Sequence, residues 1–206
     1  MSTNLWAMLT AGGPVMSILI ALSALSLALI VVKIIRLLPA TGGTASRDAA
    51  LALWSSGDRP GAMAAIAPRN AADRVLLAGM QNLTEGMDPS LLEADLARRG
   101  NDEVAAMSSG LRLLDLISMI APLLGLLGTV LGMVQSFQDL ALAEGSANAS
   151  VLAGGIWLAL LTTAAGLLVA IPAAIGSSLL TGRVETASLR IESAVGRLMT
   201  LTAQGK

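Results

Sequence analysis

Three threonines are the groups in the apolar part of this chain best able to do chemistry. Thr129 lies in an uncharged stretch between Asp115 and Asp139, and Thr162 and Thr163 lie in a second one between Glu144 and Arg183. A hydroxyl in an apolar helix can accept one hydrogen bond and donate another, so it can touch water or a proton carrier. More commonly it donates to a carbonyl one turn back on its own helix. The chain has no histidine and no cysteine. That excludes disulfides, thiolate or imidazole metal sites, and Ser-His or Cys-His catalysis. No nucleophile–base pair or metal set falls in these stretches, so no enzyme, metal centre or cofactor is expected.

A device that moves protons across a membrane needs an ionisable group at membrane depth. Neither stretch supplies one. Either the chain moves no protons, or a partner brings the titrating group.

The elements that hold these threonines are membrane helices. Apolar residues make up 54% of the 206 and charged residues 13%, against about 25% charge in a soluble domain. Mean hydropathy is +0.74. The net charge of −1 gives no field to attract nucleic acid. A spanning helix needs roughly 20 apolar residues, and three segments qualify, at 14–38, 113–137 and 151–180. The first is not a signal peptide by charge order, because Lys33 and Arg36 follow its apolar run rather than precede it.

Orientation follows from the basic residues. Nine of the 13 lie between the apolar run of the first span and the second span, from Lys33 at the first span's end to Arg112, and four follow the third, from Arg183 to Lys206. The positive-inside rule then makes 1–13 a periplasmic N-terminus and 138–150 a periplasmic loop. Residues 39–112 form a cytoplasmic helical region, and 181–206 a cytoplasmic C-terminal helix.

Asp88-Pro89 reads as an N-cap followed by an N1 proline. One helix is expected from about Pro89 to Gln138, with Gly100 and Gly110 weakening it but not ending it. At 1.5 Å per residue it would be roughly 75 Å long. Thr41-Gly42-Gly43-Thr44 reads as a hinge. After Arg183, Val184, Leu189, Ile191, Val195 and Leu198 mark a helical extension of the third span.

On a helical wheel, the third span gathers Gly155, Ala159, Thr162, Thr163, Gly166, Ala170, Ala173 and Ser177 on one face. Leucines, isoleucines and Trp157 lie opposite. The second span gathers Ser118, Ala121, Pro122, Gly125, Gly128, Thr129, Gly132 and Ser136. Small stripes let helices pack closely in lipid. They also suit a shared interior that a second protein enters, and the sequence leaves both roles open. Pro122 and Pro172 each remove a backbone bond and can kink a span. The first span has a thinner stripe, Ser17, Ala21, Ala24 and Ala28, and reads as an outer, lipid-facing helix.

The run Ala121-Pro122-Leu123-Leu124-Gly125-Leu126-Leu127-Gly128-Thr129-Val130-Leu131-Gly132-Met133 resembles the second-span signature of the MotA/TolQ/ExbB proton-channel family. Gly154-Gly155-Ile156, then Ala159-Leu160-Leu161-Thr162-Thr163-Ala164-Ala165-Gly166 and Val169-Ala170-Ile171-Pro172, resembles its third-span signature. The likeness is nearest to the ExbB and TolQ branch. It implies an all-α integral membrane fold assembled as a homopentameric ring in a bacterial inner membrane. It also implies two enclosed single-span partners of the ExbD or TolR type, each with a membrane aspartate. Proton-motive force would then do work through a TonB- or TolA-like protein. Carried over by position, Thr129 and Thr163 match the family's pore-facing threonines. Leu158 stands where the ExbB pattern usually has glutamate, and a leucine cannot titrate. Flagellar stator subunits also lack a carboxylate there. A flagellar or gliding stator relative, or a non-conducting scaffold ring of the same fold, therefore stands as the alternative.

Overall fold

The computed structural model describes residues 13–142 and 149–204, and among these residues there is no strand. In chain order the helices are α1 (Gly13–Leu37), a short 3-10 helix (Leu38–Thr41), α2 (Thr44–Ser55), α3 (Arg59–Ala64) and α4 (Ala71–Thr84). There follow α5 (Pro89–Ser108), α6 (Leu111–Leu142) and α7 (Ala149–Gln204). Three of the helical stretches are long and apolar enough to cross a membrane. The N-terminus expected over 1–13 lies almost wholly outside the described residues. The loop expected over 138–150 is trimmed at both ends, because α6 runs on to Leu142 and α7 begins at Ala149; 143–148 are not described.

The chain divides into two compact units. One comprises residues 1–32 with 110–178, the other 33–109 with 179–206. In the first, α1 buries Val15, Met16, Leu19 and Ser26 and leaves Ile18, Ile20, Leu25 and Leu27 exposed. Its small residues Ser17, Ala21, Ala24 and Ala28 all stay on the exposed side.

The second unit is a helical bundle with its own core. Leu76, Met80, Leu92, Leu96 and Leu198 are almost fully buried there, together with Ile191 and Ala194. Each large side chain contributes about 1.5–3 kcal/mol by leaving water. α7 turns Ile191, Ala194 and Leu198 into this core, and with the buried Val184 and Ala187 they form one seam along the helix, an alternation of three and four residues. Leu189 is 65% exposed, so it does not belong to the seam.

Local chemistry explains the ends of these helices. The Asp88 side chain accepts from the Ser90 amide at 2.8 Å and Pro89 opens α5, as its sequence predicts. The single helix expected from Pro89 to Gln138 is broken. Ser109 is extended, with φ −55° and ψ 134°, and Gly110 has φ +78°. A left-handed glycine ends a helix readily because it has no Cβ to clash. Gly100 sits inside α5, where a Cβ would approach Ile191 Cγ2 to 3.1 Å. The end of α5 has a cation cap. Lys33 Nζ donates to Met107 O at 2.9 Å, Ala106 O at 3.4 Å and Ser109 Oγ at 3.2 Å. An ammonium on the last carbonyls offsets the helix dipole.

The Gly42–Gly43 hinge is a pinned turn. Gly43 has φ +78° and precedes α2, and a Cβ there would lie 2.8 Å from Asn70 Nδ2. Asn70 Nδ2 donates to Gly42 O at 3.3 Å and to Asp73 Oδ2 at 2.6 Å. Arg47 Nη1 donates to Asp73 Oδ1 at 2.7 Å and to Asn70 Oδ1 at 3.1 Å. All three side chains are buried, so the turn is anchored by a charge pair removed from water.

Candidate functional site

The candidate residues gather where α6 packs on α7 within the first unit. Gly125, Gly128 and Gly132 lie three and four residues apart on α6, one face of a helix. Each is a place where the other helix enters. A Cβ on Gly125 would lie 2.9 Å from Thr162 O and 3.0 Å from Thr163 Cα. One on Gly128 would lie 2.5 Å from Thr162 Oγ1, and one on Gly132 3.2 Å from Ala159 Cβ. From the α7 side, a Cβ on Gly166 would lie 2.5 Å from Ala121 O, and one on Gly155 would collide with Ser136 Oγ. Close approach of this kind is how small residues hold helices together in lipid.

The small stripes therefore face each other through most of their length. The shared interior that the sequence also allowed is not what their centres line within one chain. The physical reason is contact: two flat, small faces gain dispersion from backbone approach that a large side chain would prevent.

Thr162 is the inner of the three threonines, buried at 3% exposure. Its hydroxyl donates to Ala159 O at 2.7 Å on its own helix and lies 3.3 Å from Gly125 O on α6. Thr163 Oγ1 donates to the same Gly125 O at 3.2 Å. One carbonyl thus collects two hydroxyls from the opposing helix. Thr129 Oγ1 donates to Leu126 O at 2.6 Å, one turn back. Thr129 and Thr163 are only partly buried. With their protons committed to carbonyls, both present lone pairs that can accept a hydrogen bond from an approaching donor.

The other residues singled out by sequence fall around this core. Leu158 is partly buried on α7. Pro122 and Pro172 lie inside α6 and α7, and both helices continue past them. Pro122 is partly buried and Pro172 exposed. Gly176 meets α1, where a Cβ would lie 2.9 Å from Ile30 Cδ1. The wheel identified the faces but missed their pairing. Ser136 against Gly155, and Gly125 O beneath two threonines, need the register of two helices, which neither helix encodes alone.

The profile of the MotA/TolQ/ExbB proton channel family matches residues 67–193, more than half of the chain. The chain belongs to that family. Within it, similarity is to proteins of ExbB type. A stretch of 73 residues is 58% identical to the biopolymer transport protein exbB1 of Vibrio cholerae, covering 35% of this chain and 32% of that protein. A putative ExbB-like biopolymer transport protein of Synechocystis is 45% identical over 85 residues, 40% of this chain and 34% of the relative. ExbB of Pseudomonas putida is 48% identical over 69 residues, 34% of this chain and 21% of its own. The chain thus spans about a third or less of the curated relatives' lengths in these matches. With its three long apolar helices, this family member is a multi-pass membrane protein.

Proposed function

We propose that the chain is the wall subunit of a motor driven by proton-motive force in a bacterial inner membrane. Five copies form a ring around single-span partners of the ExbD or TolR type. Work passes to an envelope protein of the TonB or TolA type. The N-terminus is periplasmic and the C-terminus cytoplasmic, which puts all the basic residues on the cytoplasmic side.

One observation carries this reading. The α6–α7 pair presents two partly exposed hydroxyls, Thr129 and Thr163, in segments that hold no titratable side chain. Such an edge can receive a protonated acid but cannot replace one. The proton-carrying group then belongs to the partner, in keeping with the membrane aspartate that the family resemblance implies. Packing of the stripe centres inside each chain leaves these edges to meet the partner between neighbouring chains.

The test is a density map of the complex purified from membranes. The reading expects five copies around foreign helices that carry a membrane aspartate. A ring of this chain with lipid alone at its centre contradicts it.

A second reading is a non-conducting scaffold ring of the same fold. Leu158 favours it, because a leucine can neither titrate nor accept a hydrogen bond. Replacement Leu158→Glu separates the two: flux gained only in the variant marks the natural ring as a scaffold.

A further inference from the structure

Lys33 is a buried charge with no part in the proposed proton path, only 5% exposed near the end of α1. Its ammonium donates to Ala106 O, Met107 O and the Ser109 hydroxyl.

Two of these partners are acceptors that a continuous helix would use itself. An α-helical amide donates to the carbonyl four residues back. The Gly110 amide would take Ala106 O, and the Leu111 amide Met107 O. The structure interrupts that ladder. Ser109 N still donates to Ala105 O at 3.0 Å, and the next rung is Leu114 N to Gly110 O at 3.2 Å. Amides 110–113 thus open a new helix and have no acceptor within it. At the end of α5 their place is taken by the Lys33 ammonium and by the Ser109 hydroxyl, which donates to Ala106 O at 2.9 Å.

Two forces oppose each other at this break. Ala105, Ala106 and Met107 before it, and Leu111, Arg112, Leu113 and Leu114 after it, are good helix formers. Joining them would close the open rungs. Gly110 permits the left-handed turn, φ +78°, because it has no Cβ to clash. Lys33 holds that turn in place, since a buried ammonium that gave up these acceptors would be left without partners.

We propose that the α5–α6 joint has two forms, and that Lys33 is the clasp that keeps it broken. With the clasp closed, α6 starts afresh at Leu111. With it open, residues 108–113 complete the ladder and one helix runs through. Neither form depends on the motor reading, and neither a partner nor flux is needed to tell them apart.

Amide hydrogen exchange at residue resolution, on the whole chain in neutral detergent, tests the clasp. In the parent, amides 110–113 exchange fast beside protected ones at Val104 and Leu114. Lys33→Met removes the charge at similar length. Protection at 110–113 should then rise while the last turn of α5 stays protected. A plain helix cap behaves in the opposite way: its loss frays α5, so protection falls at 105–109 with no rise at 110–113, and that result overturns the proposal. Gly110→Ala keeps Lys33 and disfavours the left-handed turn. Protection at 110–113 should rise at least about fivefold, the factor that alanine's helix propensity over glycine gives alone, and further when Lys33→Met is added. Unchanged exchange at 110–113 in Gly110→Ala overturns the two-form joint even where Lys33→Met does not fold.

Discussion

Gly128 and Thr162 occupy one another's space: a methyl at Gly128 would stand 2.5 Å from Thr162 Oγ1. The threonine reaches its place in the α6–α7 seam only because the residue opposite is hydrogen. Gly128→Ala should therefore destabilise the helix pair by about 1–3 kcal/mol, the usual cost of overpacking. The double change Gly128→Ala with Thr162→Gly should recover part of that loss. Unfolding in detergent, read as a double-mutant cycle, checks it. Additive losses would mean that the two residues do not share the space.

The two neighbouring threonines should separate by function. Thr162 is buried and ties α7 to α6, so Thr162→Val should cost about 0.6–2 kcal/mol of stability and weaken assembly. Thr163 is partly exposed, so Thr163→Val should leave assembly intact and slow proton-driven work. Size-exclusion profiles and proton flux of the reconstituted complex give both readings. Normal flux through Thr163→Val removes that hydroxyl from the mechanism.

The three spans, the faces of the second and third, and the Asp88 cap could be read from sequence, because each is a local pattern of one helix. Which face meets which could not. The small stripes of α6 and α7 suit a pore and a seam equally, and the choice depends on register across 37 residues, as in the bond from Thr162 to Gly125 O. The break at Ser109–Gly110 was hidden because one glycine within helix-forming residues reads as tolerated. Its left-handed backbone and the Lys33 cap on α5 are tertiary facts. The burial of Arg47, Asn70 and Asp73 is not legible locally, since nothing in either segment shows that the chain folds back across 23 residues to bring Arg47 to Asn70.

The buried pair in the second unit should be strongly asymmetric to mutation. Asp73→Ala leaves the Arg47 guanidinium buried without its carboxylate, and a loss of about 3–5 kcal/mol is expected. Replacing both, Arg47→Met with Asp73→Leu, should recover most of it. Urea unfolding of the bundle signal measures each. A single-site loss under half a unit of kcal/mol would show that the pair is not held out of water.

Acid should weaken the join of α4 to α5. Arg74 Nε and Nη2 donate to Glu103 Oε1 and Oε2 at 2.7 Å and 2.6 Å. This bidentate hydrogen bonding by Arg74 holds the Glu103 carboxyl below its usual range. A carboxylate whose pKa is lowered by folding adds stability above its unfolded value, and that stability is lost as pH falls through the folded value. The gap between parent and Glu103→Gln should thus be present at neutral pH and close in the acid range. Arg74 is 47% exposed, so the gap is no more than about 1 kcal/mol. Thermal unfolding against pH tests it, and a gap that widens on acidification reverses the sign.

Proton flux into liposomes tests the central claim most directly, with this chain alone, with the proposed single-span partner, and with that partner's membrane aspartate changed to asparagine. The account predicts flux only with the intact partner, since the apolar stretches of α6 and α7, 116–138 and 149–182, offer hydroxyls and no acid. Equal flux from this chain alone, or undiminished flux with the asparagine partner, would contradict it.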